Sequence, residues 1–354
     1  LAHRERTSAN SLAILGITVF FLAPLLSFWH TSHWDLWLER LHIKLPYLIL
    51  PIAFLFLPSM TARLRFRIGW LLLLVAASSC LFVGYLYVLD PDDIQKAIEL
   101  GGHFPLLVNH IRFSLVLGIT VLYGLYLMGL TQEKSSKWGI AFMTLLCFST
   151  MHLLAVRSGL LAMYFGLFFW WCYLVFFKKQ WKWLMALPLG LLLLGTAWYA
   201  IPSFQVKLGY TYWELMELMG KSDQATTLSA RVQSYFCGWR VFLDQPFFGT
   251  GVGNLKEEMG ICWVMNYGYG SMYMPHNQYL SWLAGNGLVF TLPILAACLL
   301  PFFGVRKESL PLVWSVTLAL LVSFLVENTL ENSFGVAIHS FFSLWFLRFH
   351  SQKD

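Results

Sequence analysis

Long runs of apolar residues recur along the whole chain and are separated by short polar connections. Most of the runs are close to the ~20 residues that an α-helix needs to cross the hydrocarbon core of a bilayer, and the last two are shorter. The pattern therefore predicts an all-α polytopic membrane protein with about ten transmembrane helices. The runs lie at 11–30, 45–60, 68–89, 113–130, 138–156, 159–177, 183–201, 277–304, 311–326 and 335–348.

A single long polar segment, 202–274, interrupts this pattern. We expect residues 1–201 to form the N-terminal transmembrane helices and residues 275–354 to form the C-terminal ones. The segment 202–274 is then a loop that contains amphipathic helices. Because this loop does not read as a separate domain, we expect a single integrated membrane domain.

One of these amphipathic helices is predicted from apolar residues that recur at helical spacing. At ~100° per residue, Arg231 flanks the apolar stripe and Arg240 lies nearly opposite it. We therefore expect Arg231 to face inward at the membrane surface and Arg240 to face water. The apolar positions are Leu228, Val232, Tyr235, Trp239 and Phe242.

Composition excludes a soluble globular protein and a nucleic-acid-binding protein. The chain has 354 residues, of which 58% are hydrophobic and only 12% charged, whereas about 25% charged is usual for soluble proteins. The aromatic share of 17%, with 16 Trp, agrees with rings placed at both membrane interfaces. The net charge of +6 reflects Lys and Arg in short loops, and no basic run interleaved with aromatics is present.

The Lys and Arg residues in short loops also predict an orientation, because cytoplasmic loops of membrane proteins carry an excess of them. They occur at both termini and in every second connection, so we expect N- and C-termini in the cytoplasm and the loop 202–274 outside it. The residues are Arg4, Arg6, Arg63, Arg65, Arg67, Lys134, Lys137, Lys178, Lys179, Lys182, Arg306, Lys307, Arg348 and Lys353.

The strongest candidate for chemistry is His276, which lies between Pro275 and Asn277 at the start of an apolar helix. Proline suits the first turn of a helix. The positive end of the helix dipole disfavours a charged imidazolium, and a neutral ring is what a general base requires. The alternative interpretation is an interfacial histidine that only caps the helix, and the adjacent Asn277 and the arginines expected to converge on His276 argue against it.

Arg157 and Arg231 are the candidate anion-binding residues. Arg157 lies where one apolar run passes into the next without a real loop, so we expect it to face protein or a cavity. The planar guanidinium fork suits phosphate, and two arginines with a histidine form an anion site beside a base. The alternative is that these arginines reach toward lipid headgroups or lie at the surface.

Four further residues are supporting candidates, and the first is Asn277, which directly follows His276. Glu327 and Glu331 are four residues apart, so one helical face can hold both, and they could orient His276 or pair with an arginine. A solvated helix end is an equally good interpretation. Arg112 is a weaker candidate at an interface.

Two other features concern the long loop. Cys237 and Cys262 both lie in the long loop, where a disulfide is possible in an oxidising compartment, and no cysteine or histidine spacing typical of zinc is present. The glycine-rich stretch from Gly249 to Asn254 follows no predicted strand, so it indicates a tight turn that returns the loop toward His276.

Three stretches in order resemble the bacterial O-antigen ligase and polymerase superfamily. They are Arg157-Ser158-Gly159-Leu160-Leu161-Ala162, the segment from Arg231 through Trp239 and Pro246 to Phe248-Gly249-Thr250-Gly251-Val252-Gly253-Asn254, and His276-Asn277-Gln278-Tyr279-Leu280 with Gly285-Asn286-Gly287. The large loop before the histidine also matches. The N-terminal runs resemble the family in hydropathy alone.

The resemblance implies a GT-C-like membrane glycosyltransferase of the bacterial inner membrane, in a family whose members have up to about twelve spans. It implies an O-antigen ligase of lipopolysaccharide biosynthesis, which moves a glycan from undecaprenyl diphosphate to lipid A-core at the periplasmic face, with inversion and without a metal or cofactor. His276 would then be the general base, and Arg157 and Arg231 would hold the diphosphate.

Two other functions stay open at the level of sequence. A polymerase of the same superfamily would join glycan repeat units, and it usually has two large outer loops where this chain has one. A membrane lipid or glycan transporter would need polar residues near the bilayer midplane, whereas the apolar runs here are nearly free of charge.

Overall fold

The computed structural model describes residues 11–99, 104, 106, 108–200, 202–220, 227–268 and 274–350. Over these residues the chain is all-helical, as the hydrophobic pattern predicts, with no strand. The α-helices are α1 Val19–Leu26, α2 Trp34–Lys44, α3 Pro46–Phe56, α4 Ala62–Leu89, α5 Pro91–Glu99, α6 His110–Leu130, α7 Lys134–Leu154, α8 Arg157–Cys172, α9 Ala186–Ala200, α10 Pro202–Gly220, α11 Thr227–Asp244, α12 Leu255–Tyr267, α13 Gln278–Leu299, α14 Leu310–Val326 and α15 Ser333–Phe349.

Within this part of the chain, 6 helical stretches are long and apolar enough to cross a membrane, and shorter apolar helices accompany them. The protein is therefore a multi-pass membrane protein. The run at 45–60 differs from the prediction, because it is helical only over the 11 residues of α3, which extend ~16 Å and so reach about half of the hydrocarbon core. The long stretches are Ser11–His30, Ala62–Leu89, His110–Leu130, Lys134–Leu154, Arg157–Phe177 and Gln278–Phe302.

The chain divides into two compact units that are each built from separate segments. The first unit comprises Leu1–Ser59, Glu217–Lys307 and Phe324–Asp354, and the second comprises Met60–Met216 and Glu308–Ser323. The first unit contains His276 and Arg231, and the second contains Arg157. The division into 1–201, 202–274 and 275–354 follows polarity along the chain rather than packing, and it stays a prediction.

An aromatic core lies at the centre of the first unit. The ring of Phe20 stacks on Tyr47 with centroids 4.7 Å apart, and it meets Trp282 edge-on at 5.9 Å. Trp282 in turn meets Phe324 at 5.6 Å. The Tyr47 hydroxyl is hydrogen-bonded to His339 Nδ1 at 2.8 Å, so α3 and α15 are joined by a buried polar contact. This core fixes α13, whose first turn follows His276.

Helix α13 is broken in the middle at Gly287, where φ is +65° and ψ is −178°. The stretch from Gly249 to Asn254, called here the glycine loop, packs directly against the break. A Cβ atom added at Gly287 would collide with the Phe247 carbonyl, and one added at Gly249 would meet the Gly287 nitrogen. Only glycine fits at both positions, since side chains are excluded and φ is positive at each.

Four backbone hydrogen bonds join the glycine loop and the residues before it to α13. In an unbroken helix the N–H groups of residues 288 and 289 would donate to the carbonyls of residues 284 and 285. The loop replaces these partners on both sides of the break, so the backbone groups stay satisfied within an apolar helix. The bonds run from Thr250 N to Ala284 O (2.9 Å), Gly251 N to Gly285 O (3.1 Å), Leu288 N to Pro246 O (2.9 Å) and Val289 N to Phe247 O (3.0 Å).

Helix α11 confirms the amphipathic helix predicted in the long loop, but its buried face differs from the predicted apolar stripe. Arg240 is exposed as expected, whereas Val232 and Trp239 are also exposed, at 42% and 48%. The buried face contains Ser234 and Cys237 because small side chains allow close packing. A disulfide joins Cys237 to Cys262 of α12.

Candidate active site

His276 lies at the junction between the long loop and α13, two residues before the first residue of that helix. The helix begins at Gln278, slightly later than the proline suggests, because Asn277 is the N-cap. The Asn277 side-chain oxygen accepts a hydrogen bond from Leu280 N at 3.0 Å, and its Nδ2 donates to Leu325 O at 3.0 Å. Asn277 therefore ends the loop and ties His276 to the end of α14.

Helix α11 approaches the same junction from the loop side. The His276 backbone N–H donates to Ser234 Oγ at 3.2 Å, and the Ser234 hydroxyl donates to Arg231 O at 2.7 Å. Added side-chain bulk at Gly238 would meet Pro275, so the helix lies directly on the turn. These contacts place Arg231 beside the histidine predicted as a base.

Glu327 connects the arginine and the histidine. Its Oε1 accepts a hydrogen bond from Arg231 Nη2 at 2.8 Å, and its Oε2 lies 3.9 Å from His276 Nδ1. The Glu327 side chain is 4% exposed, whereas Arg231 and His276 are each 30% exposed. The structure thus brings together three of the predicted site residues, with the carboxylate buried behind two accessible side chains.

This arrangement has a definite chemical capacity. Arg231 compensates the charge of the buried carboxylate and donates a second bond, from Nη1 to Val326 O at 3.2 Å. Glu327 lies on the Nδ1 side of the imidazole, so Nε2 is the atom that can take a proton from a bound hydroxyl. The 3.9 Å between His276 Nδ1 and Glu327 Oε2 is too long for a hydrogen bond.

Tyr235 is a site residue that the sequence analysis used only as an apolar position. Its hydroxyl donates to Leu325 O at 3.3 Å. Burial raises the pKa of Tyr235, Arg231 lowers it and Glu327 raises it, with a net increase, so the phenol stays neutral. The sequence contains one signal that indicates this position, which is the spacing of the two residues: Tyr235 lies one helical turn after Arg231 and therefore on the same face of the helix.

Glu331 belongs to a different polar cluster of the first unit. It accepts bonds from Lys44 Nζ at 3.1 Å, Arg40 Nη1 at 3.4 Å and Gln278 Nε2 at 2.9 Å. Burial opposes ionisation, but Lys44, Arg40 and the bond from Gln278 outweigh it and lower the pKa of Glu331 to about 2. Its arginine partner is thus Arg40, a residue that the sequence analysis did not single out.

Arg157 lies in the second unit at the tight corner that the sequence predicts. Helix α7 ends at Ala155, which has a left-handed backbone conformation with φ +49°, and α8 begins at Arg157. Arg157 Nη1 donates to Glu214 Oε2 at 2.8 Å and to Thr211 Oγ1 at 3.0 Å. Its side chain is 44% exposed, so it is available to a ligand.

Arg112 also lies in the second unit, in the first turn of α6. Asn109 caps this helix by accepting hydrogen bonds from Ile111 N and Arg112 N. The residue is only 5% exposed. Its predicted supporting role stays a prediction. Among the described residues, no group of three His, Cys, Asp or Glu side chains is placed to hold a metal ion.

Fold and site together define a multi-pass helical membrane protein with a histidine, an arginine and a buried carboxylate assembled around the first turn of a membrane helix. Residues 142–295 match the family model of the O-antigen ligase, which confirms the resemblance predicted from the three motifs. The matched range includes Arg157, Arg231 and His276, while Arg112, Glu327 and Glu331 lie outside it. No curated protein matches the chain.

Proposed function

We propose that the protein is an O-antigen ligase, an inverting glycosyltransferase that moves a glycan from undecaprenyl diphosphate to a sugar hydroxyl of lipid A-core. The observation that carries the proposal is that Arg231 and His276, which both lie in the stretch that matches the O-antigen ligase family, contact the same buried carboxylate, Glu327. A general base and an anion-binding residue are the two functions that this reaction needs.

In the proposed reaction, His276 Nε2 takes the proton from the acceptor hydroxyl as its oxygen attacks the anomeric carbon of the donor sugar. The new glycosidic bond forms while the bond from that carbon to the diphosphate oxygen breaks. The bonding electrons leave with undecaprenyl diphosphate, and His276 later releases the proton to water. A single displacement inverts the anomeric centre and requires no metal or cofactor.

Glu327 supports His276 in this scheme. A carboxylate on the Nδ1 side orients the ring and stabilises the imidazolium that forms as the proton arrives. Contacts of this kind are often long before the substrate binds and shorten in the reacting complex, which fits the 3.9 Å separation.

Arg231 and Arg157 are the proposed diphosphate ligands. Both side chains are partly exposed, at 30% and 44%. A guanidinium donates directional, charge-assisted bonds to phosphate oxygens and stabilises the charge that develops on the leaving group. The role of Arg157 rests on its motif and on this chemistry.

We further propose a GT-C-like fold with about ten spans in the bacterial inner membrane and the active site at the periplasmic face. The Cys237–Cys262 disulfide supports this orientation, because disulfides persist in oxidising compartments such as the periplasm. The contact of α11 with the first turn of α13 supports a site at the membrane surface, since α13 belongs to a stretch long enough to span the bilayer.

The test separates the ligase from a polymerase of the same superfamily. Purified protein in nanodiscs is given glycan-loaded undecaprenyl diphosphate and either lipid A-core or a second lipid-diphosphate glycan as acceptor. A ligase transfers the glycan to lipid A-core and leaves the second glycan unextended. Extension of the lipid-linked glycan, without transfer to lipid A-core, would instead identify a polymerase.

A further inference from the structure

A fully buried glutamate, Glu214, holds Arg157. Neither the position nor the residue type of Glu214 distinguishes it as a functional residue in the sequence. The Glu214 side chain is 0% exposed, and its Oε2 accepts the bond from Arg157 Nη1 at 2.8 Å. A buried carboxylate is costly unless it is paired with a cation, so this bond constrains both partners strongly.

The contact engages one nitrogen of the guanidinium from a single helix. Thr211 and Glu214 are three residues apart on α10 and therefore share a face, and both accept from Nη1 of Arg157. Among the described residues, Nε and Nη2 of Arg157 have no hydrogen-bond partner. These two nitrogens form the side-on edge of the guanidinium, which is the edge that binds an oxyanion with two parallel bonds.

Arg231 in the first unit is held in a comparable way. Its Nη2 donates to the buried Glu327 at 2.8 Å, and its side chain stays 30% exposed. Each arginine that we assign to the diphosphate therefore has a buried carboxylate partner at the same distance. An isolated surface ion pair would not show this combination of a buried acid and an accessible guanidinium.

We propose that Glu214 is a positioning residue for donor binding, which fixes Arg157 so that its Nε and Nη2 edge is presented to a diphosphate oxyanion. The inference rests on the proposed function, in which Arg157 binds the diphosphate. Because the pair has no net charge, Arg157 acts through directed hydrogen bonds more than through long-range attraction. Loss of Glu214 thus weakens donor binding and leaves the base His276 intact.

The first experiment measures initial rates of glycan transfer in nanodiscs over a range of donor concentrations. Glu214→Gln is expected to raise the KM for the donor about 10-fold and to change kcat less than about 3-fold, since the guanidinium is present but less firmly oriented. The matched control is Glu217→Gln, which removes a carboxylate from the same helix one turn later and is expected to leave both constants unchanged.

The second experiment uses chemical rescue, which a merely structural salt bridge would not support. Arg157→Ala is expected to abolish transfer. Added guanidinium ion is expected to raise the transfer rate of this variant at least about 10-fold, because it occupies the vacated site beside Glu214. The double variant Arg157→Ala/Glu214→Gln should not respond to guanidinium, whereas Arg157→Ala/Glu217→Gln should respond. If Glu214→Gln does not fold, Glu214→Asp serves in its place with the same readout.

The outcomes separate the two proposals. Normal transfer by Arg157→Ala would overturn the role of Arg157 and, with it, any role for Glu214 in positioning it. Loss of transfer by Arg157→Ala, together with an unchanged donor KM in Glu214→Gln and rescue that does not depend on Glu214, would overturn the positioning role alone.

Discussion

Glu327 is the residue on which the geometry around His276 depends. The same carboxylate contacts Arg231 through Oε1 and lies near His276 through Oε2. The Glu327 side chain is only 4% exposed, so water cannot take over its contacts with Arg231 and His276 when the carboxylate is removed. A substitution there therefore affects the base and the anion-binding arginine together.

Glu327→Gln is expected to lower kcat for glycan transfer about 10-fold to 100-fold, or ~1.4–2.7 kcal/mol, because a neutral amide stabilises the developing imidazolium less. The effect is read from initial rates of glycan transfer at a saturating concentration of the lipid-linked donor. A kcat equal to that of the control Glu39→Gln, which changes an exposed carboxylate, would refute the assignment.

Glu331 has a different role, which is to fix the turn between α14 and α15 through Lys44, Arg40 and Gln278. Its pKa is lowered from 4.5 to about 2 in the folded protein. Its ionised form thus contributes stability above pH ~4.5, on the order of 3 kcal/mol, and this contribution is lost as the pH falls toward 2.

Glu331→Gln should accordingly lower the Tm in detergent at neutral pH, and the difference from wild type should narrow as the pH falls from about 5 toward 3. Differential scanning fluorimetry across this range gives the measurement. A gap in Tm that stays constant over the range would show that the Glu331 charge does not stabilise the fold.

At the scale of elements, the break in α13 explains two of the three sequence motifs. Gly285 and Gly287 leave room for the glycine loop, and Gly249 lets the backbone of the loop approach the helix. Because α13 starts directly after His276, this contact also holds the long loop in register with the site.

Gly287→Ala should destabilise the protein by more than the ~1–3 kcal/mol of backbone strain alone, because the new methyl group also collides with the Phe247 carbonyl. Gly268→Ala is the matched control, since φ there is also positive at +73° but nothing lies within 4 Å of the added atom. Thermal unfolding of both variants is compared with wild type. Equal losses of stability would mean that the close approach to the glycine loop is unimportant.

Sequence periodicity was sufficient for elements whose structure depends on local signals. The helices α6, α7 and α8, the corner at Arg157 and the start of α13 near His276 follow from apolar runs and breaker residues. The glycine loop was predicted only as a tight turn. Its backbone hydrogen-bond partners lie some 35 residues further along the chain, and the hydrophobic pattern of a sequence does not show which distant segments pair.

The same limit applies to the site. The motifs identified His276, Arg157 and Arg231, and the pairing of Glu327 with both a base and an arginine was one of the options that the sequence left open. The partner of Arg157 could not be found, because Glu214 is one of two acidic residues on α10, with Glu217. Which of them is buried depends on how α10 packs, and that is a tertiary property.

At the scale of the whole molecule, the disulfide links the fold to its compartment. The described residues contain four free cysteines, Cys80, Cys147, Cys172 and Cys298, together with the Cys237–Cys262 pair. Protein that is isolated without reductant and denatured should react with four maleimide–polyethylene glycol groups, and the same protein should react with six after reduction. Six additions before reduction would contradict a periplasmic loop.

The most direct test of the central claim is the transfer rate of His276→Ala with lipid-linked glycan donor and lipid A-core acceptor in nanodiscs. Loss of the general base should lower transfer by about 10²-fold to 10⁴-fold while the Tm stays close to that of wild type. His42→Ala, which removes an exposed histidine from α2, should retain full activity. Transfer by a folded His276→Ala protein at the rate of the His42→Ala control would contradict the account.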